Sequence, residues 1–181
     1  MNRMIAVWIS FLLASPAVLA QTPPKVAGPV IAEYGAVFDI PSPDFPTDPG
    51  LTYQVVFDIA ASPDEPDALN PAFNTVARFL NMHARAGVPL KQLKAVVVVH
   101  GRASKDVLLP EKYEELYGTE NPNFALIQQL SEAGVELYFC GQSMYGRGLQ
   151  RPWLSPDIQL ALSAMTVLTT YQEKGYHLIR F

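Results

Sequence analysis

Charged side chains are scarce in this chain of 181 residues: they make up 17% of it, against 49% hydrophobic residues. That balance excludes a disordered polymer, which combines low hydrophobicity with high net charge. Cations are fewer than anions, 13 Lys and Arg against 17 Asp and Glu, and no basic block occurs anywhere. Nucleic acid is therefore excluded as the main partner. Cysteine is nearly absent. The single Cys140 excludes an intrachain disulfide and the paired spacings of zinc ribbons or thioredoxin-like sites. A domain of about 150 residues buries enough surface to fold without metal or disulfide staples, so folding calls for no cofactor. A membrane-length apolar run is missing too. Met4 to Leu19 gives 16 residues interrupted by Pro16, short of the ~20 needed to span a bilayer.

That N-terminal run has another reading. Arg3 precedes the apolar stretch Met4 to Leu13, Ala14-Ser15-Pro16 breaks it, and Val18-Leu19-Ala20 places small residues at a cleavage position. Residues 1–20 are predicted to be a secretory signal peptide. The mature chain would be periplasmic or secreted, with no stable membrane span. In such an oxidising compartment most thiols are paired, so a lone cysteine calls for an explanation.

Residues 21–50 hold seven prolines in thirty positions, which forbids regular helix and predicts an extended arm with one edge strand at Tyr34 to Ile40. Residues 51–181 are periodic. Tyr53 to Ile59, Ala95 to Val99 and Val135 to Phe139 are short β-branched or aromatic runs, and Tyr176 to Phe181 supplies a last strand. Three helices share one punctuation, a capping residue and proline at the start and glycine past the end. They are Asn70-Pro71 to Gly87, Asn121-Pro122 to Gly134, and Ser155-Pro156 to Gly175. In the first, Phe73, Val76, Ala77, Leu80 and Ala84 form an apolar stripe, and Asn74, Arg78, Asn81 and Arg85 line another face. The third carries no charge from 158 to 172, which predicts cover on both sides, either by a subunit interface or as a well-buried helix of a monomer. Alternating strands and helices predict an α/β fold with a mainly parallel open sheet, covered on both faces.

Long connections follow the strands, at 60–70, 101–121 and 141–154, whereas the returns from helix to strand are short. A ligand site is expected outside the carboxyl ends of the strands. Asp58, His100 and Cys140 stand at three of those ends. Gly101 and Gly141 follow two of them and permit tight turns. Cys140 and His100 are the candidate reactive pair. Asp58, Gly101, Gly141, Gln142, Ser143 and Arg147 are the candidate binding residues, with Arg147 and Arg151 providing positive charge that favours a thiolate or a small oxyanion. Two ligands, Cys140 and His100, without motif spacing do not define a metal site, and none is predicted. Each residue also has a plainer role: the cysteine as core filler, the histidine as a satisfied structural group, Asp58 as a turn cap.

The segment Gly134-Val135-Glu136-Leu137-Tyr138-Phe139-Cys140, followed by Arg147-Gly148, resembles the cysteine region of the DsrE/DsrF sulfur-relay family. Tyr53 through Asp58, Arg78 to Asn81, Val99-His100-Gly101, Cys140-Gly141-Gln142-Ser143, and Ser163-Ala164 to Gly175-Tyr176 extend the resemblance over about residues 52 to 181, to exported DsrE-like proteins in particular. The resemblance implies a three-layer α/β/α sandwich assembled as a homotrimer or hexamer, with Cys140 carrying sulfur as a persulfide. It implies a sulfurtransferase at most, acting on a small sulfur-containing anion. The rival expectation is a non-catalytic module of the same fold that binds a small ligand and in which the cysteine is structural.

Overall fold

The computed structural model describes residues 22–180, so the predicted signal peptide lies outside the described residues. Five strands form one sheet: β1 (Tyr53–Ile59), β2 (Leu93–Val99), β3 (Glu136–Cys140), β4 (Gln159–Ala161) and β5 (His177–Arg180). Their order is β4-β3-β2-β1-β5 and every pairing is parallel. Parallel pairing requires a crossover between strands. Here α1 (Pro71–Arg85), α2 (Pro110–Tyr117) with α3 (Phe124–Glu132), a short α4 (Gly141–Gly146) and α5 (Ala164–Glu173) supply them.

Side-chain alternation splits the sheet into two faces. Val55, Phe57, Ile59, Val97, Val99, Leu137 and Phe139 join one core with Phe73, Val76, Leu80, Leu126, Ile127 and Leu130 from α1 and α3. Val56, Val96, Val98 and Cys140 face the other way and meet Ala164, Val167 and Tyr171 of α5. The topology explains the split. The chain steps one strand at a time from β1 to β4, then returns to the far side of β1. Right-handed crossovers put helices of opposite stepping direction on opposite faces. The second face thus has one helix where the first has several. Direction reverses between β1 and β5, the place where an open sheet offers a crevice.

Three local readings are corrected by the fold. The expected helix from Ser155 to Gly175 is a turn, a strand and a shorter helix. Gln159, Leu160 and Ala161 pair with Tyr138, Phe139 and Cys140, and the hydroxyl of Ser163, not Ser155, caps α5 by accepting the Thr166 N–H at 3.1 Å. Edge pairing to β3 overrides a locally helical pattern. The Asn121-Pro122 pair does not start α3 either. Asn123 is its cap residue, and Asn121 Nδ2 donates to Asp106 O and Leu108 O at 2.9 and 2.8 Å. Finally, Tyr34 to Ile40 is no sheet strand, since only Val26 and Val37 form an isolated antiparallel bridge.

The proline-rich stretch instead straps across α1. Its carbonyls and N–H groups cannot pair along a ladder, so a side chain satisfies them. Asn81, fully buried, accepts from Val30 N (3.2 Å) and Ile31 N (2.9 Å) and donates to Ile31 O, Tyr34 O and Gly35 O at 2.9 to 3.1 Å. Asn74 accepts the Gly35 N–H at 2.8 Å, and Arg85 forks onto Asp39. The polar face of α1 is the seat of the strap.

Candidate functional site

The carboxyl edge of the sheet brings Asp58, His100 and Cys140 onto one face, the α5 side. In register Asp58 is level with Val98, and Val99 with Phe139, so His100 is level with Cys140 and one pleat beyond Asp58. That diagonal is within reach of a histidine. His100 Nε2–H donates to Asp58 Oδ1 at 2.7 Å, with side chains 28% and 8% exposed. The other oxygen, Oδ2, lies 3.6 Å from Arg180 Nε on β5, its register partner. Asp58 is thereby held between an imidazole and a guanidinium. No hydrogen bond joins His100 to the sulfur.

Cys140 ends β3 and is also the residue before α4. It is 5% exposed. Burial among valines pushes the thiol up, because a low dielectric disfavours the thiolate. Four donors outweigh it: the Ser143 hydroxyl, then the backbone N–H groups of Ser143, Ala164 and Gln142, which together leave the thiol below its ordinary range. The physical cause is the meeting of two helix starts, α4 and α5, whose first N–H groups lack intrahelical partners.

Glycine makes that meeting possible. A Cβ on Gly141 would fall 2.8 Å from Ala161 O and 3.3 Å from Leu162 O, so any larger residue would push the start of α5 off the sulfur. Gly101 has φ +57°, and a Cβ there would lie 2.9 Å from Ala60 O. Its N–H donates to Ser143 Oγ at 3.2 Å. Gln142 is exposed, and its Nε2 reaches Leu162 O at 3.4 Å.

Arg147 is placed elsewhere. It closes the far end of α4 and lines a cleft with Arg102 and Lys105. The positive character that the sequence led us to expect from arginine comes, at the sulfur, from the Ser143 hydroxyl and backbone N–H groups. Among the described residues no group of three or more His, Cys, Asp or Glu side chains is arranged to hold a metal. No described helix is long and apolar enough to cross a membrane.

Several residues here carry no local sequence signal. Ala164 acts through its N–H alone, and Arg180 meets Asp58 only because β5 lands beside β1. Below the edge, on the α1 side, lies a buried polar knot. Asp106 accepts from Ser62 Oγ at 2.8 Å and Asn70 Nδ2 at 2.7 Å, and Asn70 N donates to Asn123 Oδ1 at 2.8 Å. Complete burial pushes the Asp106 carboxyl up to about 6, against the opposing effect of Asn70, Ser62 and Lys105. The knot ties the loop after β1 to the segment after β2. Only the excess of small polar residues at 62, 70, 106, 121 and 123 could have hinted at it.

Fold and site together define an α/β/α protein of parallel sheet with one thiol at its carboxyl edge. A family model, the DsrE/DsrF-like family, matches residues 54–181, and the chain belongs to that family. The match begins after the strap. Two solved structures share the fold. One is protein MTH1491 of unknown function from Methanobacterium thermoautotrophicum, with a TM-score of 0.54, 17% identity and coverage of 71% of this chain and 99% of that one. The other is the ychN protein of E. coli, with a TM-score of 0.55, 13% identity and coverage of 71% and 99%. No curated protein sequence matches.

Proposed function

We propose that this chain is an exported, periplasmic or secreted DsrE-like protein whose Cys140 accepts sulfane sulfur and hands it on as a persulfide. The observation that carries this reading is the set of four donors on the sulfur, which favours its anionic form although the residue is buried. A structural core cysteine has no use for such donors. In the forward step the Cys140 thiolate attacks the outer sulfur of a donor persulfide. The donor's S–S bond breaks, the electron pair leaves with the donor thiol, and Cys140–S–S⁻ remains. No external oxidant or reductant enters. The same donors then stabilise the persulfide anion, and a modest lowering suits a group that must both attack and leave. His100, level with Cys140 and oriented by Asp58, is placed to take up the proton of the incoming donor. Exposure of 5% restricts donors to small molecules or to partners that displace the turn at Leu162.

Self-association belongs to the same reading. Leu162 and Met165 are 72% and 73% exposed beside the site, and Leu178 is 43% exposed on the thinly covered face. Together with the uncharged outer side of α5, they support a homo-oligomer, a trimer or hexamer. Light scattering of the mature chain tests this; a monomer at micromolar concentration overturns it.

For the chemistry, intact mass after exposure to a small persulfide donor is decisive. A gain of about 32 Da, one sulfur atom, that vanishes in Cys140→Ser supports the carrier. No gain, or an equal gain in Cys140→Ser, overturns it. One observation favours the second reading, a ligand-binding module with a structural cysteine: Cys140 belongs to the buried apolar cluster that includes Val56, Val96, Val98 and Val167. In that case the thiol reacts with alkylating probes only after unfolding.

A further inference from the structure

We propose that the cleft between the loop after β1, the turn after β2 and the end of α4 binds a small organic molecule carrying paired oxyanion charge. The chain as a whole bears a formal charge of -4. Yet one cavity of about 450 Å3 gathers Arg102, Lys105 and Arg147 with a single carboxylate, Asp64. That is the local reverse of the global balance. The volume falls in the usual range for small-ligand sites, ~300 to 1,000 Å3.

The local geometry explains the convergence. Gly101–Lys105 is a 3-10 turn. With three residues per turn, positions 102 and 105 fall on one side. Lys105 is fixed there, because its Nζ donates to Pro63 O at 2.7 Å and lies 5.8 Å from the centroid of the Tyr117 ring. Arg147 enters from α4, and its guanidinium has no hydrogen-bond or ion-pair partner among the described residues. A cation at a helix C-terminus is favourable in itself. That does not account for two more cations facing the same space. Arg102 pairs with Asp64 at 3.0 Å, but the side chains are 64% and 85% exposed, and such pairs contribute little. A ligand can displace it.

The cations select the ligand class. Arginine forks match carboxylate and phosphate oxygens, and lysine adds a point charge. Tyr117, Leu149 and Pro63 line the remaining wall and suit an apolar or aromatic body. Phosphate monoester and dicarboxylate share this chemistry. The site is separate from the sulfur, since Arg147 is not among the groups that act on Cys140. It stands whether or not Cys140 carries sulfur.

Titration calorimetry with phenyl phosphate and, separately, phthalate tests the site on the mature chain and on Cys140→Ser. Binding of either probe, unchanged in Cys140→Ser and weakened roughly tenfold or more in Arg102→Ala and in Arg147→Ala, supports it. Which probe binds identifies the phosphate or the carboxylate source. Asp64→Asn should tighten binding a few-fold, and added salt should weaken it. Absence of binding for both probes at about 10 mM, a concentration at which even weak sites fill, overturns the site. So does binding that survives the Arg102→Ala/Arg147→Ala double variant. Both residues are exposed, so circular dichroism should show these variants folded. A loss of helix there would shift the test to Arg147→Gln, which removes the charge and keeps a polar side chain.

Discussion

Ser143 couples Gly101 to Cys140: its Oγ accepts the Gly101 N–H at 3.2 Å, and its hydroxyl turns to the sulfur. The connection after β2 thus sets the electrostatics of a residue on β3. Removing the hydroxyl strips one donor from the thiolate and frees the Gly101 N–H. Hydrogen bonds to charged groups are worth about 1.5 kcal/mol or more, so Ser143→Ala should slow alkylation of Cys140 at neutral pH roughly tenfold. The pH profile of the reaction should move to higher pH. An unchanged profile would show that the backbone donors alone set the thiol.

His100 makes the opposite prediction. Its ring is committed to Asp58 at 2.7 Å and does not touch the sulfur. His100→Gln should leave the alkylation profile of the free protein within about twofold while slowing sulfur loading from a persulfide, an effect of order ~10² if it acts in proton transfer. Equal loading rates in the variant would remove His100 from the reaction and leave it a structural partner of Asp58.

Asp106 should make stability depend on pH in an unusual direction. Its carboxyl is raised to about 6 in the folded state by burial. The folded chain therefore holds a proton that the unfolded chain releases near pH 4. Where the native state binds more protons, stability falls as pH rises. This contribution is present in full below about pH 4, declines through about pH 6 and is then lost, to the extent of about 3 kcal/mol at most. Urea unfolding at several pH values checks it. Asp106→Asn should flatten that decline, and a slope equal to the parent's would assign the pH dependence to other groups.

The strap has one lock, Asn81, whose side chain meets Val30, Ile31, Tyr34 and Gly35. Asn81→Ala leaves several buried backbone groups unpaired at once. Each costs about 1 to 3 kcal/mol, so a loss of several kcal/mol is expected in urea unfolding. Limited proteolysis should cut between residues 36 and 50 much faster than in the parent. A loss under about 1 kcal/mol would show that Ile31 and Val37, both buried, suffice to hold the strap.

Much of the architecture was legible because it rests on periods. The four valines Val96 to Val99 of β2 and the stripe Phe73, Val76, Ala77 and Leu80 on α1 are local patterns, and the structure keeps them, whereas the long connections at 101–121 and 141–154 fold in part into α2 and α4. The helix expected from Ser155 to Gly175 gives way because pairing with β3 is not written in the local pattern. Asn121 differs: a residue that is a good cap is also a good loop anchor, and the choice depends on which distant backbone group it meets. The second face of α1 shows the same dependence: its spacing is local, but that Asn81 and Asn74 meet the strap is decided by packing.

The amino-acid sequence by itself determined that the strands are parallel and that Asp58, His100 and Cys140 reach one edge, because hydrophobic period and connection length are properties of the chain. Only the tertiary structure decided which groups these side chains meet. Strand order set Arg180 beside Asp58, the inserted β4 brought the Ala164 N–H to the sulfur, and the tight turn after β2 sent Arg102 and Lys105 to Arg147 rather than to the thiol. Those partners lie tens of residues apart, and register and packing, which the local pattern does not encode, place them in contact.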